Sequence, residues 1–235
     1  MNSQAEAVNR LNHQLDLAAQ ANRSVRADRT FEAARQRLRD WQAARLARTH
    51  QDLLASPRMG PAASFFLTDL YGSSDLSKLA DDVRRIVPVM VKLLPTAGLE
   101  TVADAIELHA LSEDLDIAMV AALGKQISAL DAAAYGRAYR KVGRREDRQR
   151  QIDLVQDVGQ ALARLIHQPF VATALGLMRK PAKLAGLSAL QDFLQRGYEA
   201  FRKIDDPQEF LDTIVSREQK LLQALFAKDD SLLGA

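Results

Sequence analysis

The segment from Leu99 to Leu123 reads LETVADAIELHALSEDLDIAMVAAL. It holds neither proline nor glycine, and at about 100° per residue its apolar side chains fall into two stripes. Leu108, Leu111, Leu115 and Met119 form one stripe, while Val102, Ile106, Ile117 and Val120 form another on nearly the opposite side. A helix that is apolar on two faces has neighbours on both. The expected fold is therefore all-α, a multi-helix bundle with a central hydrophobic helix near residues 99–123. Leu108, Leu111, Leu115 and Met119 are expected to be nearly closed to solvent.

The rest of the chain agrees with a helical reading. Of 235 residues only 11 are glycine and 7 proline, while Ala, Leu, Gln and Arg recur, residues that lose little rotamer freedom in a helix. Before the central segment, Val8, Leu11, Leu15 and Ala18 form a narrow seam of coiled-coil type, which suits pairing with an edge helix or with a partner. Phe31, Leu38, Trp41, Leu46 and Leu53 continue the helical period, and Asn22, Ser24 and Asp28 offer caps for a break between the two. Residues 1–58 are thus expected to form a long N-terminal helix or a helix pair. Residues 59–235 form the main helical bundle, one structural unit with the N-terminal helices.

Ser56-Pro-Arg-Met-Gly-Pro61 is the clearest break. A short helix over Ala63–Tyr71 should end at Gly72, and Ser74 or Asp75 should cap the next, Leu76–Leu94, with Pro88 kinking or restarting it. After the central helix come Ala129–Val142, a basic turn, Ile152–Ile166, Phe170–Met178 and Ala182–Phe201, and Pro207 opens the last helix, which runs to about Ala227. Gly159, Gly176, Gly186 and Gly197 lie in or near these late helices, where close helix approach would compensate their poor propensity.

Several functional classes fall away on composition. Without a single cysteine there is no disulfide framework, thiolate metal site or Cys nucleophile. The first thirty residues have no signal-peptide core, and no apolar run reaches the roughly 20 residues of a membrane span, which points to a cytoplasmic location. Glycine-rich phosphate loops and the Gly-x-Ser-x-Gly elbow are absent, which favours a non-enzymatic protein. Net charge is +2, but unevenly spread: ten Lys/Arg face six Asp/Glu over residues 1–58, five face eleven over 59–136, and seventeen face thirteen over 137–235. An acidic middle between basic flanks can pair within the fold or between subunits.

Phe65-Phe-Leu-Thr-Asp-Leu-Tyr-Gly72 with Asp75, then Arg85-Ile-Val-Pro88, Leu93-Leu-Pro95 and Glu100-Thr-Val through Leu111-Ser-Glu-Asp-Leu-Asp116, resembles an uncharacterised bacterial all-helical family that shares the Phe-Phe-Leu-x-Asp-Leu-Tyr-Gly block. The resemblance covers residues 60–120. It implies a bacterial origin and a single helical unit, and brings no catalytic residues with it.

A few side chains stand out. Phe65, Phe66 and Tyr71 can wall a small-molecule pocket, and Asp69 among them needs a partner or solvent. His109, Glu113 and Asp116 share a stripe of the central helix, and a hydrogen-bonded pair there is favoured over a metal or haem site, since Glu-x-x-His pairs on two helices are missing. Glu218 falls within the arc Leu211, Ile214, Val215, Leu221, Leu222, Leu225 and Phe226, and Arg45 lies similarly within the stripe of Phe31, Leu38 and Leu46. A buried carboxylate requires a cation, and Arg45 is the candidate for Glu218. The run Arg137–Arg150 could meet phosphate, but a near-neutral chain without a nucleic-acid module makes a solvated turn, or an interface with the acidic middle, the better reading. These features favour a helical interaction protein, self-associating or bound to another protein, with no cofactor. A small-molecule or lipid-binding protein stands second and a helical metal or haem enzyme third.

Overall fold

A computed structural model describes residues 2–26, 29–66, 76–93, 96–166, 168–204 and 206–234. All of its regular elements are helical. In chain order they are α1 (Asn2–Arg26), α2 (Arg29–Thr49), α3 (Gln51–Ala55), α4 (Gly60–Phe65), α5 (Leu76–Leu93), α6 (Thr96–Leu123), α7 (Ala132–Val142), α8 (Arg145–Ile166), α9 (Pro169–Leu184), α10 (Ser188–Phe201) and α11 (Pro207–Phe226). No helix among the described residues is long and apolar enough to cross a membrane.

α6 is the axis of the bundle, packed by α1, α2, α5, α7 and α8. Its first half presents Leu99, Ala103, Ile106 and Ala110, spaced by four and three residues. This edge meets the α1 seam of Leu11, Leu15 and Ala18, with Val83 and Val87 of α5 beside it. The narrow seam is thus covered by an edge inside the same chain. The next position along the same edge of α6 is Glu113, and there α1 gives way to α2. The second half of α6 buries Leu115, Met119, Val120 and Leu123 with Leu38 of α2, Tyr135 and Tyr139 of α7, and Leu221, Leu222 and Leu225 of α11. A further cluster joins α3, α4, α10 and α11 through Leu53, Ala62, Phe65, Phe201 and Phe210.

Leu115 and Met119 are fully buried, whereas Leu108 and Leu111 are only half-buried, against the expectation that all four are closed. Small side chains explain the difference. α1 approaches over Ala103 and Ala110, so the tight contact forms on that edge and the leucine stripe one position away stays partly open. The basic turn is also shorter than expected. It comprises Gly143 and Arg144, both at positive φ, and helix resumes at Arg145 with Glu146 and Asp147 in the first turn, where the helix dipole favours carboxylates. Helix α9 runs through Pro181 and stops at Gly186, where Leu187 N donates to Ala182 O at 2.7 Å in a Schellman closure. α7 begins at Ala132, because Asp131 caps it by accepting from Ala134 N, and residues Gly124–Ala129 are a 3-10 turn. Pro207 opens α11, with the Asp206 side chain accepting from Gln208 N and Glu209 N. The short fourth helix starts at Gly60, earlier than Ala63; its expected end at Gly72 and the caps Ser74 and Asp75 lie outside the described residues.

Close approach accounts for Gly159 and Gly197 and not for Gly176. A Cβ on Gly159 would run into the Leu211 side chain, and one on Gly197 would press on Phe65 at 3.0 Å, but one on Gly176 would meet nothing. The acidic middle pairs inside the chain with both basic flanks. Arg10 of α1 reaches Asp104 at 2.6 Å and also Glu107; Arg150 of α8 takes Glu107 from the other side at 2.7 Å, and Arg144 reaches Asp114 at 2.6 Å.

Candidate ligand cavity

Where α2, α6, α7, α8 and α11 converge, the packing leaves a cavity of about 220 Å3. Three carboxylates stand around it, each placed by helical spacing on an otherwise inward face. Glu113, 2% exposed, continues the buried edge of α6. Arg35 and Arg39 of α2, one turn apart, both reach it. Asp116 accepts from Gln42 Nε2 at 3.2 Å and lies 3.4 Å from Arg39 Nε. Burial pushes the Asp116 carboxyl up, while Arg39, Gln42 and the charge of Arg148 act in the opposite sense.

Glu218 of α11 accepts from Arg45 Nη1 at 2.5 Å, and His50 Nε2 stands 3.4 Å from the same oxygen. Burial pushes this carboxyl up too, but the Arg45 charge and His50 outweigh it and hold it at about 2, against an ordinary 4.5. Tyr135 and Tyr139 of α7 close one side, and burial raises the Tyr139 phenol. Trp41 stacks on Tyr135 with ring centroids 4.4 Å apart. The rest of the wall is mostly apolar, with Phe66, Ile152, Val155, Ile214 and Leu222 among its residues, and also holds His109, Ser112 and Gln151, whose Nε2 donates to Ser112 Oγ at 2.7 Å.

Arg148 differs from the other buried arginines. It is 6% exposed, lines the cavity and lays its guanidinium over the Tyr139 ring at 4.6 Å, yet its Nε and Nη2 have no hydrogen-bond partner. No carboxylate among the described residues lies within ion-pair reach of it.

Of the residues singled out by sequence, Arg45, His109, Glu113, Asp116 and Glu218 all line this cavity, and so does Phe66. Phe65 turns away and packs on Phe193 and Phe201, with centroids 5.3 and 6.3 Å apart. Asp69 and Tyr71 lie outside the described residues. Glu113 is held by Arg35 and Arg39, and His109 lines the same cavity one turn earlier on α6. No group of three His, Asp or Glu among the described residues could hold a metal ion. Sequence reading passed over Arg35, Arg39, Gln42 and Arg148. The signal for Arg148 was present: with Ile152, Val155 and Gly159 it forms a line of four- and three-residue spacing on α8.

These residues define an all-helical bundle with an ion-paired cavity in its interior. The chain belongs to the family described as Domain of unknown function (DUF8198), whose model matches residues 21–232 and so takes in every helix that lines the cavity. No curated protein and no solved structure matches the chain.

Proposed function

We propose that this chain is a small-molecule-binding protein without catalytic chemistry of its own, and that the cavity between α2, α6, α7, α8 and α11 is its binding site. One observation carries the reading. Helical interiors are packed to crystal-like density, with few voids larger than a water, whereas about 220 Å3 stands open here among charged and aromatic side chains. A cavity of about 150 Å3 accommodates benzene, so this one suits a molecule of roughly nine heavy atoms. The mixed wall is what a ligand site needs, an apolar body with a few polar groups that fix orientation. Native mass spectrometry of the purified chain tests it. A stoichiometric adduct below about 200 Da, released on unfolding, supports the reading, and a bare chain that acquires no mass from a small-molecule library contradicts it.

Association with a second copy is favoured by a separate observation. On α9, Leu177 and Leu184 are 73% and 91% exposed, seven residues apart on one face. Large apolar side chains grouped in the open commonly mark a protein contact. Sedimentation velocity at micromolar concentration, with Leu177→Glu and Leu184→Glu as controls, tests this reading: a dimer that the substitutions dissociate supports it, and a monomer throughout removes it.

A further inference from the structure

We infer that the cavity's ligand is a small organic carboxylate, gripped by the Nε and Nη2 edge of Arg148 with its apolar body against Ile152, Val155 and Leu222. The inference rests on the reading of the cavity as a ligand site and adds the chemical class.

Charge around the cavity motivates it. Four buried or largely buried guanidiniums, Arg35, Arg39, Arg45 and Arg148, stand with four carboxylates, the exposed Glu32 and the inward Glu113, Asp116 and Glu218. The first three arginines are engaged with carboxylates, Arg35 through Glu32 and Glu113, Arg39 through Glu113 and Arg45 through Glu218. Asp116 goes to Arg39 and Gln42. Among the described residues, Arg148 alone of the four makes no ion pair: Asp116 feels its charge, but the Arg148 Nε–H and Nη2–H have no acceptor. Buried N–H groups without acceptors are costly, and an anion that meets them offsets that cost.

The orphaned atoms specify the anion. Nε–H and Nη2–H lie on one edge of the guanidinium and point the same way, the fork that donates to both oxygens of a carboxylate side by side. Tyr139 does not answer this need, since it covers the face of the guanidinium and leaves the in-plane N–H groups unmet. A phosphate monoester carries nearly two charges, whereas one guanidinium without an ion pair is present, and most of the wall is apolar. A monocarboxylate with an aryl or short alkyl body suits both the charge and the volume.

Isothermal titration calorimetry of the full chain with benzoate, phenylacetate and hexanoate, each against its amide, tests the inference. The acids are expected to bind at least about tenfold tighter than the amides, the worth of a charge-assisted hydrogen-bond pair. Arg148→Met should abolish that preference, leave amide binding in place, and keep or raise the melting temperature, because it removes buried N–H groups that have no acceptor. Should Arg148→Met fail to fold, Arg148→Lys, which keeps the charge and loses the fork, should still reduce the acid-to-amide ratio by about threefold or more. Equal binding of acids and amides would overturn the carboxylate inference and leave the cavity reading standing. Acid preference that survives Arg148→Met, with a lowered melting temperature, would make Arg148 a structural prop for Tyr139 and likewise overturn it. If neither acids nor amides bind, the cavity reading fails and the inference fails with it.

Discussion

Arg45 of α2 and Glu218 of α11 meet at 2.5 Å across a separation of 173 residues, and their contact ties the N-terminal helices to the last helix of the chain. The Glu218 side chain is 20% exposed, so the pair is neither fully buried nor freely solvated. Glu218→Ala leaves Arg45, 8% exposed, without its carboxylate and should destabilise the fold by about 2–3 kcal/mol, between the values typical of buried and exposed pairs. Urea denaturation of the single and double substitutions gives the coupling. A loss under about 0.5 kcal/mol would mean that solvent already satisfies both charges.

The same pair sets a pH dependence. Glu218 is held at about 2 in the folded chain against an ordinary 4.5. A depressed folded value contributes stability that is complete above the unfolded value and lost as pH falls through the folded one. Wild type and Glu218→Gln should therefore differ most above about pH 5, by up to roughly 3 kcal/mol, and converge toward about pH 2. Denaturation curves at several pH values check this, and a difference that stays constant across the range would place the carboxyl at its ordinary value.

Gly159 and Gly176 should respond to alanine with opposite signs. At Gly159 the new methyl group meets the Leu211 side chain where α8 packs on α11, so overpacking should cost about 1–3 kcal/mol. At Gly176 the space is open and α9 gains helix propensity, for a gain of up to about 1 kcal/mol. Thermal melts of the two variants decide it. Equal effects would deny the close α8–α11 approach.

Leu115→Ala and Leu111→Ala separate the two halves of the stripe on α6. Leu115 is fully buried and its truncation should cost about 2–5 kcal/mol, while half-buried Leu111 should cost less than about 2. A larger loss at Leu111 than at Leu115 would reverse the burial order along the central helix.

Helical period makes a charge among leucines visible, which is how Glu218 and Arg45 stand out in the sequence, while Glu113 and Asp116 stand out by sharing a stripe with His109. Period does not say which helices meet, so the Arg35 and Arg39 grip on Glu113 had no sequence signal beyond the basic character of α2. Arg148 was hidden for another reason. The density of arginines from Arg137 to Arg150 read as a solvated turn, although only Gly143 and Arg144 leave the helix and Arg148 already sits on the inward face of α8. The half-burial of Leu108 and Leu111 was equally illegible, because it depends on α1 docking over the edge of Ala103, Ile106 and Ala110 rather than over the leucine stripe.

Trp41 offers the most direct test that the cavity is a ligand site. It is the single tryptophan of the chain and stacks on Tyr135, which lines the cavity, so a bound molecule changes its surroundings through one intervening ring. Titrating phenylacetate into the full chain should give a saturable change in Trp41 emission. The same titration of Val155→Phe, which places an aromatic ring in the cavity wall, should give none while the fold persists. A flat response in the wild-type chain, or an identical saturable response in Val155→Phe, would contradict the assignment of this cavity as a binding site.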